Sequence, residues 1–134
     1  MGTIAVTGSA GGMGRAVRTQ LERQGHEVLG VDVVDSEVTA DLSNHEGREA
    51  MVEAVTDLSG GRLAGLVVAA GLQKGDPGVI VGVNHFGAVA TLEGLRPLLQ
   101  ANGEAAAVVV SSNSTTTMPG YPTEIADACL DGDE

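Results

Sequence analysis

An α/β fold with a parallel β-sheet is predicted by three features of the sequence. Segments typical of strands alternate with segments typical of helices along the 134 residues. The later strand segments are continuous apolar runs, as expected for strands covered on both faces. The chain also contains 20 glycines but only one Phe, one Tyr and no Trp. A core of small aliphatic side chains suits closely packed layers of helix on sheet.

The first half of the chain contains two strand–helix units. The β-branched run Thr3–Thr7 predicts a strand, and apolar residues at helical spacing predict a helix over Gly14–Gln24. Glu27–Asp32 predicts the second strand, because Gly25 before it ends the preceding helix. Ser43-Asn-His-Glu46 has the form of a capping box and predicts the start of a second helix.

The second half repeats the alternation. Gly65–Ala70 and Ala105–Ser111 predict two further strands, and a long helix is predicted between them over Val79–Gln100, with Pro97 as a local disturbance. Four strands joined by right-handed crossovers predict the first part of a Rossmann-type, doubly wound sheet in the order 3-2-1-4. Such a sheet has about six strands when complete, so we expect this chain to be the N-terminal portion of a longer domain.

Charge and cysteine content exclude several classes of function. A formal net charge of −11 argues against nucleic acid or an anionic membrane as a partner. Cys129 is the single cysteine and provides neither a disulfide nor a zinc site, and no metal-ligand spacing is present. No apolar run reaches the roughly 20 residues of a membrane span. We expect a soluble, cytoplasmic protein.

The turn after the first predicted strand holds four glycines within the seven residues Gly8–Gly14. In a parallel sheet this corner binds phosphate groups at the N-terminus of the first helix. Gly8 permits the tight turn, Gly12 lets a pyrophosphate approach the backbone, and Gly14 lets the helix pack closely on the sheet. Ser9 and Met13 are further candidate binding residues of this turn. A glycine-rich turn with a purely structural role is the alternative interpretation.

One acidic residue favours a dinucleotide as the ligand of this turn. Asp32 ends the second predicted strand, 18 residues after Gly14, where a carboxylate accepts hydrogen bonds from the ribose hydroxyls of an adenosine. The same carboxylate repels a 2′-phosphate, so we expect NAD(H) to be preferred to NADP(H). Nearby Asp35 is the alternative candidate, and a simple polar strand end is the alternative role for Asp32.

Together with four further motifs, these residues resemble the short-chain dehydrogenase/reductase family. Thr7-Gly8-x-x-x-Gly12-x-Gly14 is similar to its cofactor signature, and the spacing of Gly8, Gly11 and Gly14 also fits the extended and atypical branches. The other matches are Asp41-Leu42, Ala69-Ala70-Gly71 in the place of the family's Asn-Asn-Ala-Gly, Val83-Asn84-His85-Phe86-Gly87, and Val110-Ser111-Ser112. The resemblance covers residues 3 to about 118.

The resemblance implies a cofactor, a reaction and a set of site residues. Residues 1–118 are an NAD-binding half-domain by this interpretation, and the implied cofactor contacts beyond the glycine turn and Asp32 are Asp41, Leu42, Ala70 and Gly71. Ser112 is the implied catalytic serine, and an ordinary strand-end turn formed by Ser111, Ser112 and Ser114 is the alternative interpretation. Asn84 is the implied anchor of a proton relay, and an ordinary helix residue is its alternative. The implied reaction interconverts secondary alcohols and ketones, including steroidal and other bulky apolar substrates, in a dimer or tetramer.

The family's Tyr-x-x-x-Lys pair has no match in this sequence. Tyr121 is followed four residues later by Ile125, and the single lysine is Lys74. We therefore expect this chain alone to be inactive and the pair to lie on the C-terminal half of the same protein, docked as a separate polypeptide. The alternative function is a non-catalytic dinucleotide-binding regulator or degenerate paralogue, which the two missing asparagines also favour.

The last 16 residues, 119–134, differ from the rest in composition. Five of the 18 acidic residues lie within Glu124–Glu134, and no basic residue does. This segment is predicted to be a solvated acidic loop or the start of an insertion, mobile in solution. A helix over Glu124–Leu130 is the alternative.

Overall fold

The structure contains a five-stranded parallel sheet with helices on both faces. This computed structural model describes residues 1–134 apart from the side chain of Thr115. The strands are β1 (Thr3–Thr7), β2 (Glu27–Asp32), β3 (Val38–Thr39), β4 (Gly65–Val68) and β5 (Ala106–Val109). The helices are α1 (Gly12–Arg23), α2 (His45–Leu58), α3 (Pro77–Val81), α4 (Ala88–Asn102), α5 (Ser114–Thr117) and α6 (Thr123–Leu130).

The strand order is β3-β2-β1-β4-β5, so the predicted order 3-2-1-4 is confirmed and one strand continues it. The strand β3 was not predicted, because two residues have no periodicity of their own. It forms where Val38 pairs with Val31 of β2. The predicted strand at Gly65 is therefore fourth in the chain, and it pairs with β1 rather than with β2.

Helices cover the two faces of β1 because successive side chains of a strand point to opposite sides. Ala5 is fully buried in the larger core cluster, which includes Met51 of α2 and Leu95 of α4. On the other face, Ile4 and Val6 are buried in a smaller cluster, against which Val17 and Leu21 of α1 pack. The predicted doubly wound arrangement is confirmed at this strand.

The start of α2 differs from the prediction by one residue. Asn44, not Ser43, is the N-cap, and its Oδ1 accepts a hydrogen bond from the backbone N–H of Gly47 at 2.8 Å. The backbone N–H of Ser43 instead donates to Asp41 Oδ1 at 2.9 Å. Ser43 therefore belongs to the loop before the helix.

The predicted long helix is present as one helical run, Pro77–Asn102, which includes a π-helical turn over Gly82–Gly87. Pro97 lies inside α4 without ending it. By length and composition alone the run is long and apolar enough to cross a membrane, with a mean hydropathy of 1.3 over 18 residues. Core helices of soluble proteins pass the same test, and Leu95 and Leu98 of this run lie in the core.

The C-terminal part of the chain lies beyond β5. All four residues of β5 are exposed, and the segment that follows contains the short helices α5 and α6. The carbonyl oxygen of Cys129 in α6 lies 3.0 Å from His85 Nε2 in the π-helical turn. Glu134 forms an ion pair with Arg48 of α2. These two contacts join the segment to the helical layer.

Candidate dinucleotide-binding site

A cleft of about 730 Å³ lies where the carboxyl ends of β1, β2 and β4 meet. Ligands of open α/β sheets bind at this position, outside the carboxyl ends of the strands. The structure brings nine of the predicted binding residues to the lining of this one cleft. They are Gly8, Gly12, Met13, Gly14, Asp32, Asp41, Leu42, Ala70 and Gly71.

Two glycines of the turn are required by the chain itself. Gly8 has a φ of +71°, a conformation that favours glycine, and a Cβ on it would lie 2.8 Å from the carbonyl oxygen of Ala69. A Cβ on Gly14 would lie 2.0 Å from the carbonyl oxygen of Gly8. The turn can approach β4, and α1 can approach the turn, only because these side chains are absent.

Gly12 differs from both, because no described heavy atom other than those of Gly12 itself, its chain neighbours and the adjacent helix backbone comes within 4 Å of the position of its Cβ. Packing within the chain therefore does not explain a glycine here. The residue is the first of α1, next to the cleft. A glycine at this position would let a ligand approach the backbone closely.

The N-terminus of α1 is also left available for an acceptor. Its N-cap is Gly11, so no side chain caps the first backbone N–H groups of this helix. In contrast, Asn44 caps α2, and Asp76 caps α3 through the N–H of Val79 at 3.2 Å. Free N–H groups and the helix dipole both favour an anion, so this end of the cleft fits a phosphate group.

Asp32 holds the glycine turn in place. Its Oδ2 accepts a hydrogen bond from the N–H of Ala10 at 2.9 Å, and its Oδ1 accepts from the N–H of Val33 at 2.7 Å. Each oxygen keeps a second lone pair for a further donor. Asp32 lines the cleft, whereas Asp35 lines a separate surface pocket beside α1. The geometry thus favours Asp32 over Asp35 as a contact to ribose.

Asp41 and Leu42 form a further wall of the cleft. Hydrogen bonds from the hydroxyl and the backbone N–H of Ser43 lower the pKa of the Asp41 carboxyl. The side chain of Leu42 is buried in the larger core cluster. This wall is closely packed, because a Cβ on Gly47 would lie 1.8 Å from the carbonyl oxygen of Asp41.

A further ion pair fixes the segment between β2 and β3. Arg18 of α1 binds the carboxylate of Glu37 through Nη1 at 2.8 Å and Nη2 at 2.6 Å. Hydrogen bonds from Arg18 and from the N–H of Gly30 lower the pKa of Glu37. The loop that follows Asp32 is thereby attached to α1.

Three predicted site residues do not line the cleft. Ser9 is buried, and its Oγ has no hydrogen-bond partner among the described groups. Ser112 is exposed after β5, and its Oγ accepts a hydrogen bond from the N–H of Ser114 at 3.2 Å. Asn84 binds the backbone of Leu72, accepting from its N–H at 2.7 Å and donating to its carbonyl at 2.9 Å. Leu72 itself lines the cleft, so Asn84 supports the lining.

Several apolar residues of the lining were not predicted. Val33 and Val34 are 57% and 55% exposed, and Leu72 and Val79 are 40% and 42% exposed. Large apolar side chains left exposed beside a cleft are typical of a ligand-binding surface. The sequence did contain a signal for two of them, because Val33 and Val34 directly follow Asp32 and continue the apolar pattern of the strand beyond its polar end. In the described residues, no cluster of three or more His, Cys, Asp and Glu could hold a metal.

The fold and the glycine turn define a nucleotide-binding α/β protein, and the chain belongs to the NAD dependent epimerase/dehydratase family, whose model matches residues 4–133. It is 38% identical over 136 residues to 3-alpha-hydroxysteroid dehydrogenase/carbonyl reductase from Comamonas testosteroni. That alignment covers 100% of this chain and 53% of the relative. The resemblance to short-chain dehydrogenases/reductases is thereby confirmed.

Solved structures show the same fold. The 3-alpha-hydroxysteroid dehydrogenase from Pseudomonas sp. B-0831, complexed with NADH, is 43% identical, with a TM-score of 0.90 over 98% of this chain and 57% of that one. An oxidoreductase (short chain dehydrogenase/reductase) from Brucella ovis is 22% identical, with a TM-score of 0.74 over 97% of this chain and 73% of that one. The chain spans little more than half the length of the two hydroxysteroid dehydrogenases.

Proposed function

We propose that the protein binds NAD(H) in the cleft at the carboxyl ends of β1, β2 and β4. The observation that carries the proposal is the turn before α1, where Gly12 is open, the helix has no side-chain cap, and Asp32 borders the same cleft. Membership of an NAD dependent family supports this ligand, as does the NADH in the Pseudomonas relative.

The residues present fit the dinucleotide in three parts. The N-terminus of α1, with Gly12, Met13 and Gly14, would hold the pyrophosphate. Asp32 would accept hydrogen bonds from the adenosine ribose, and Asp41 and Leu42 would border the adenine. Ala70 and Gly71 would complete the site after β4.

The intact protein interconverts secondary alcohols and ketones under this proposal, with steroids or other bulky apolar molecules as substrates. The two hydroxysteroid dehydrogenases, at 38% and 43% identity, support this class. Bound NAD(H) supplies the hydride acceptor or donor of the reaction. Ser112 hydrogen-bonds the substrate oxygen, and Asn84 holds the lining and anchors a proton relay. The 134 residues alone are inactive, because they contain no Tyr-x-x-x-Lys pair.

The missing half of the site requires a second segment of the same protein. β5 offers the surface for it, since its four residues are exposed and it is an outermost strand of the sheet. We propose that the C-terminal half of the protein docks there as a separate polypeptide and carries the tyrosine and lysine. The alignment to little more than half of each hydroxysteroid dehydrogenase is compatible with this arrangement.

A second candidate function is a dinucleotide-binding regulator without catalysis. The Ala69-Ala70-Gly71 motif favours it, because both asparagines of the family's Asn-Asn-Ala-Gly are absent there and their side-chain hydrogen bonds cannot form. Measurements on the intact protein distinguish the two functions. A bound polypeptide with a Tyr-x-x-x-Lys pair, together with turnover of secondary alcohols, supports the enzyme. Binding of NADH without turnover supports the regulator.

The test of cofactor binding is a titration of NADH and of NADPH into the intact protein, monitored by the fluorescence of the nucleotide. We expect NADH to bind at least about tenfold more tightly, since one unfavourable charge contact of about 1.4 kcal/mol gives that factor. Asp32→Ala is expected to remove the preference. Equal affinities of the wild-type protein for the two nucleotides would contradict the role of Asp32.

A matched variant separates the charge of Asp32 from its role in the turn. Asp32→Asn keeps an oxygen that accepts the Ala10 N–H but has no negative charge. If charge sets the preference, both variants lose it. If only Asp32→Ala loses it, the preference comes from the shape of the turn.

A further inference from the structure

Arg48 is the one charged residue that is buried among the described residues, with a side chain 6% exposed. It does not line the cleft. Burying a guanidinium is unfavourable unless its donors are bound and its charge is compensated. Its partners therefore indicate what the residue holds together.

The donors of Arg48 bind backbone carbonyls of two separate segments. Nε donates to the carbonyl of Leu42 at 2.8 Å, and Nη2 donates to the carbonyl of Ser43 at 3.1 Å. Nη2 also donates to the carbonyl of Gly82 at 3.0 Å. The first two belong to the loop that forms the Asp41–Leu42 wall, and the third begins the π-helical turn.

The two segments touch backbone to backbone around this side chain. A Cβ on Gly82 would lie 2.6 Å from the carbonyl oxygen of Ser43, and a Cβ on Gly87 would lie 3.1 Å from that of Leu42. Carbonyl oxygens facing one guanidinium are stabilised by it, and the charge is compensated by Glu134, whose Oε2 lies 2.7 Å from Nη1. The two segments are thus in close contact around one charged side chain.

The π-helical turn carries Asn84, which binds both backbone groups of Leu72 on the cleft lining. A continuous chain of contacts therefore runs from the Leu42–Ser43 carbonyls through Arg48 and Gly82 to Asn84 and Leu72. We propose that Arg48 is a positioning residue, which holds the wall at Asp41–Leu42 and the Asn84–Leu72 pair in fixed relation across the cleft. The proposal extends the proposed NAD(H)-binding function and rests on that function for the identity of the ligand. The contacts of Arg48 themselves do not depend on it.

The experiment uses the intact protein with Arg48→Lys, and with Arg62→Lys as the control at an exposed arginine. A lysine donates from one point and cannot span three carbonyls of two segments, so the contact between them loosens. The first readout is hydrogen–deuterium exchange of the Leu72 amide without ligand, because that amide donates to Asn84. The second readout is the Kd for NADH.

For Arg48→Lys we expect exchange at Leu72 to be faster by about tenfold and NADH affinity to fall by roughly five- to tenfold, which lies within the range of couplings carried through packed contacts. Arg62→Lys should match the wild type in both. A variant Arg48→Lys that loses thermal stability but keeps wild-type exchange at Leu72 and wild-type NADH affinity overturns the proposal, because the residue then only stabilises the fold.

Gly82→Ala provides a second route to the same contact if Arg48→Lys does not fold. Its Cβ separates the two segments at Ser43 and leaves the charge of Arg48 in place. Faster exchange at Leu72 supports the proposal, and unchanged exchange contradicts it. Failure of the wild-type protein to bind NADH would contradict the proposed function alone, since exchange at Leu72 in the ligand-free protein still tests the position of Asn84.

Discussion

At the scale of the residue, several polar side chains of the site are occupied by the protein before any ligand binds. Asp32 holds Ala10 and Val33, and Asn84 holds both backbone groups of Leu72. Such fixed groups do not have to be ordered when a ligand enters, which lowers the entropic cost of binding. A variant at one of them therefore changes both the shape of the cleft and its chemistry.

Ser112 is in a different position, because its described contact is a single hydrogen bond from the N–H of Ser114. For Ser112→Ala in the intact protein we expect turnover to fall by about 10² or more, the usual effect of removing a donor to the reacting oxygen. NADH affinity should stay within about twofold, since the residue lies outside the cleft lining. Steady-state kinetics and NADH titration measure the two effects.

The neighbouring serines are the controls for this variant. Ser111→Ala and Ser114→Ala should retain turnover, because the family match falls on Ser112. An active Ser112→Ala beside an inactive Ser111→Ala or Ser114→Ala would mean that the serine had been assigned to the wrong position.

At the scale of the element, the first turn of α1 combines two different requirements for glycine. The Gly14 position is crowded by the carbonyl of Gly8, whereas the Gly12 position is open within the described chain. The first requirement comes from packing and the second from the proposed ligand. Two substitutions of the same kind can therefore separate stability from binding.

Gly14→Ala should destabilise the intact protein, because a Cβ only 2.0 Å from a backbone oxygen forces the helix away from the turn. Overpacking of this kind typically costs about 1–3 kcal/mol. Gly12→Ala should leave the free energy of unfolding unchanged or raise it by up to about 1 kcal/mol, since alanine favours helix. Its NADH affinity should nevertheless fall by about tenfold or more, which corresponds to about 1.4 kcal/mol.

Urea unfolding and NADH titration of both variants measure these effects. Wild-type NADH affinity in Gly12→Ala would show that NADH does not need to approach the protein backbone closely at this residue. Wild-type stability in Gly14→Ala would show that α1 can move away from the turn without cost.

At the scale of the whole molecule, the sheet is well covered at its centre and open at one edge. β1 is buried from both faces, whereas Val108 and Val109 of β5 are 57% and 43% exposed. An open, apolar edge strand is a site for pairing with another chain. The molecule thus has a surface suited to a further polypeptide.

We expect the 134 residues produced alone not to persist as a folded monomer, because the exposed β5 surface favours association. Size-exclusion chromatography with light scattering, intact-mass analysis and urea unfolding measure this. Val108→Lys should increase the soluble monomer of the lone chain, since a charged edge residue opposes strand pairing. A wild-type species of 13.5 kDa that is monomeric and unfolds cooperatively would contradict the prediction.

The sequence by itself determined the features that depend on local pattern. Apolar runs and β-branched residues identified β1, β2, β4 and β5 to within two residues at each end. The glycine turn and Asp32 were recognisable because their spacing follows from the geometry of one strand, one turn and one helix. Nine of the predicted binding residues lie on one cleft for the same reason.

The tertiary structure decided what depends on contacts between distant segments. β3 exists only because β2 offers a partner to Val38. The role of Arg48 was not visible in the sequence either, because its carbonyl partners lie up to 34 residues away. A residue's local pattern predicts which element it joins, but burial and hydrogen-bond partners arise only when the elements pack together.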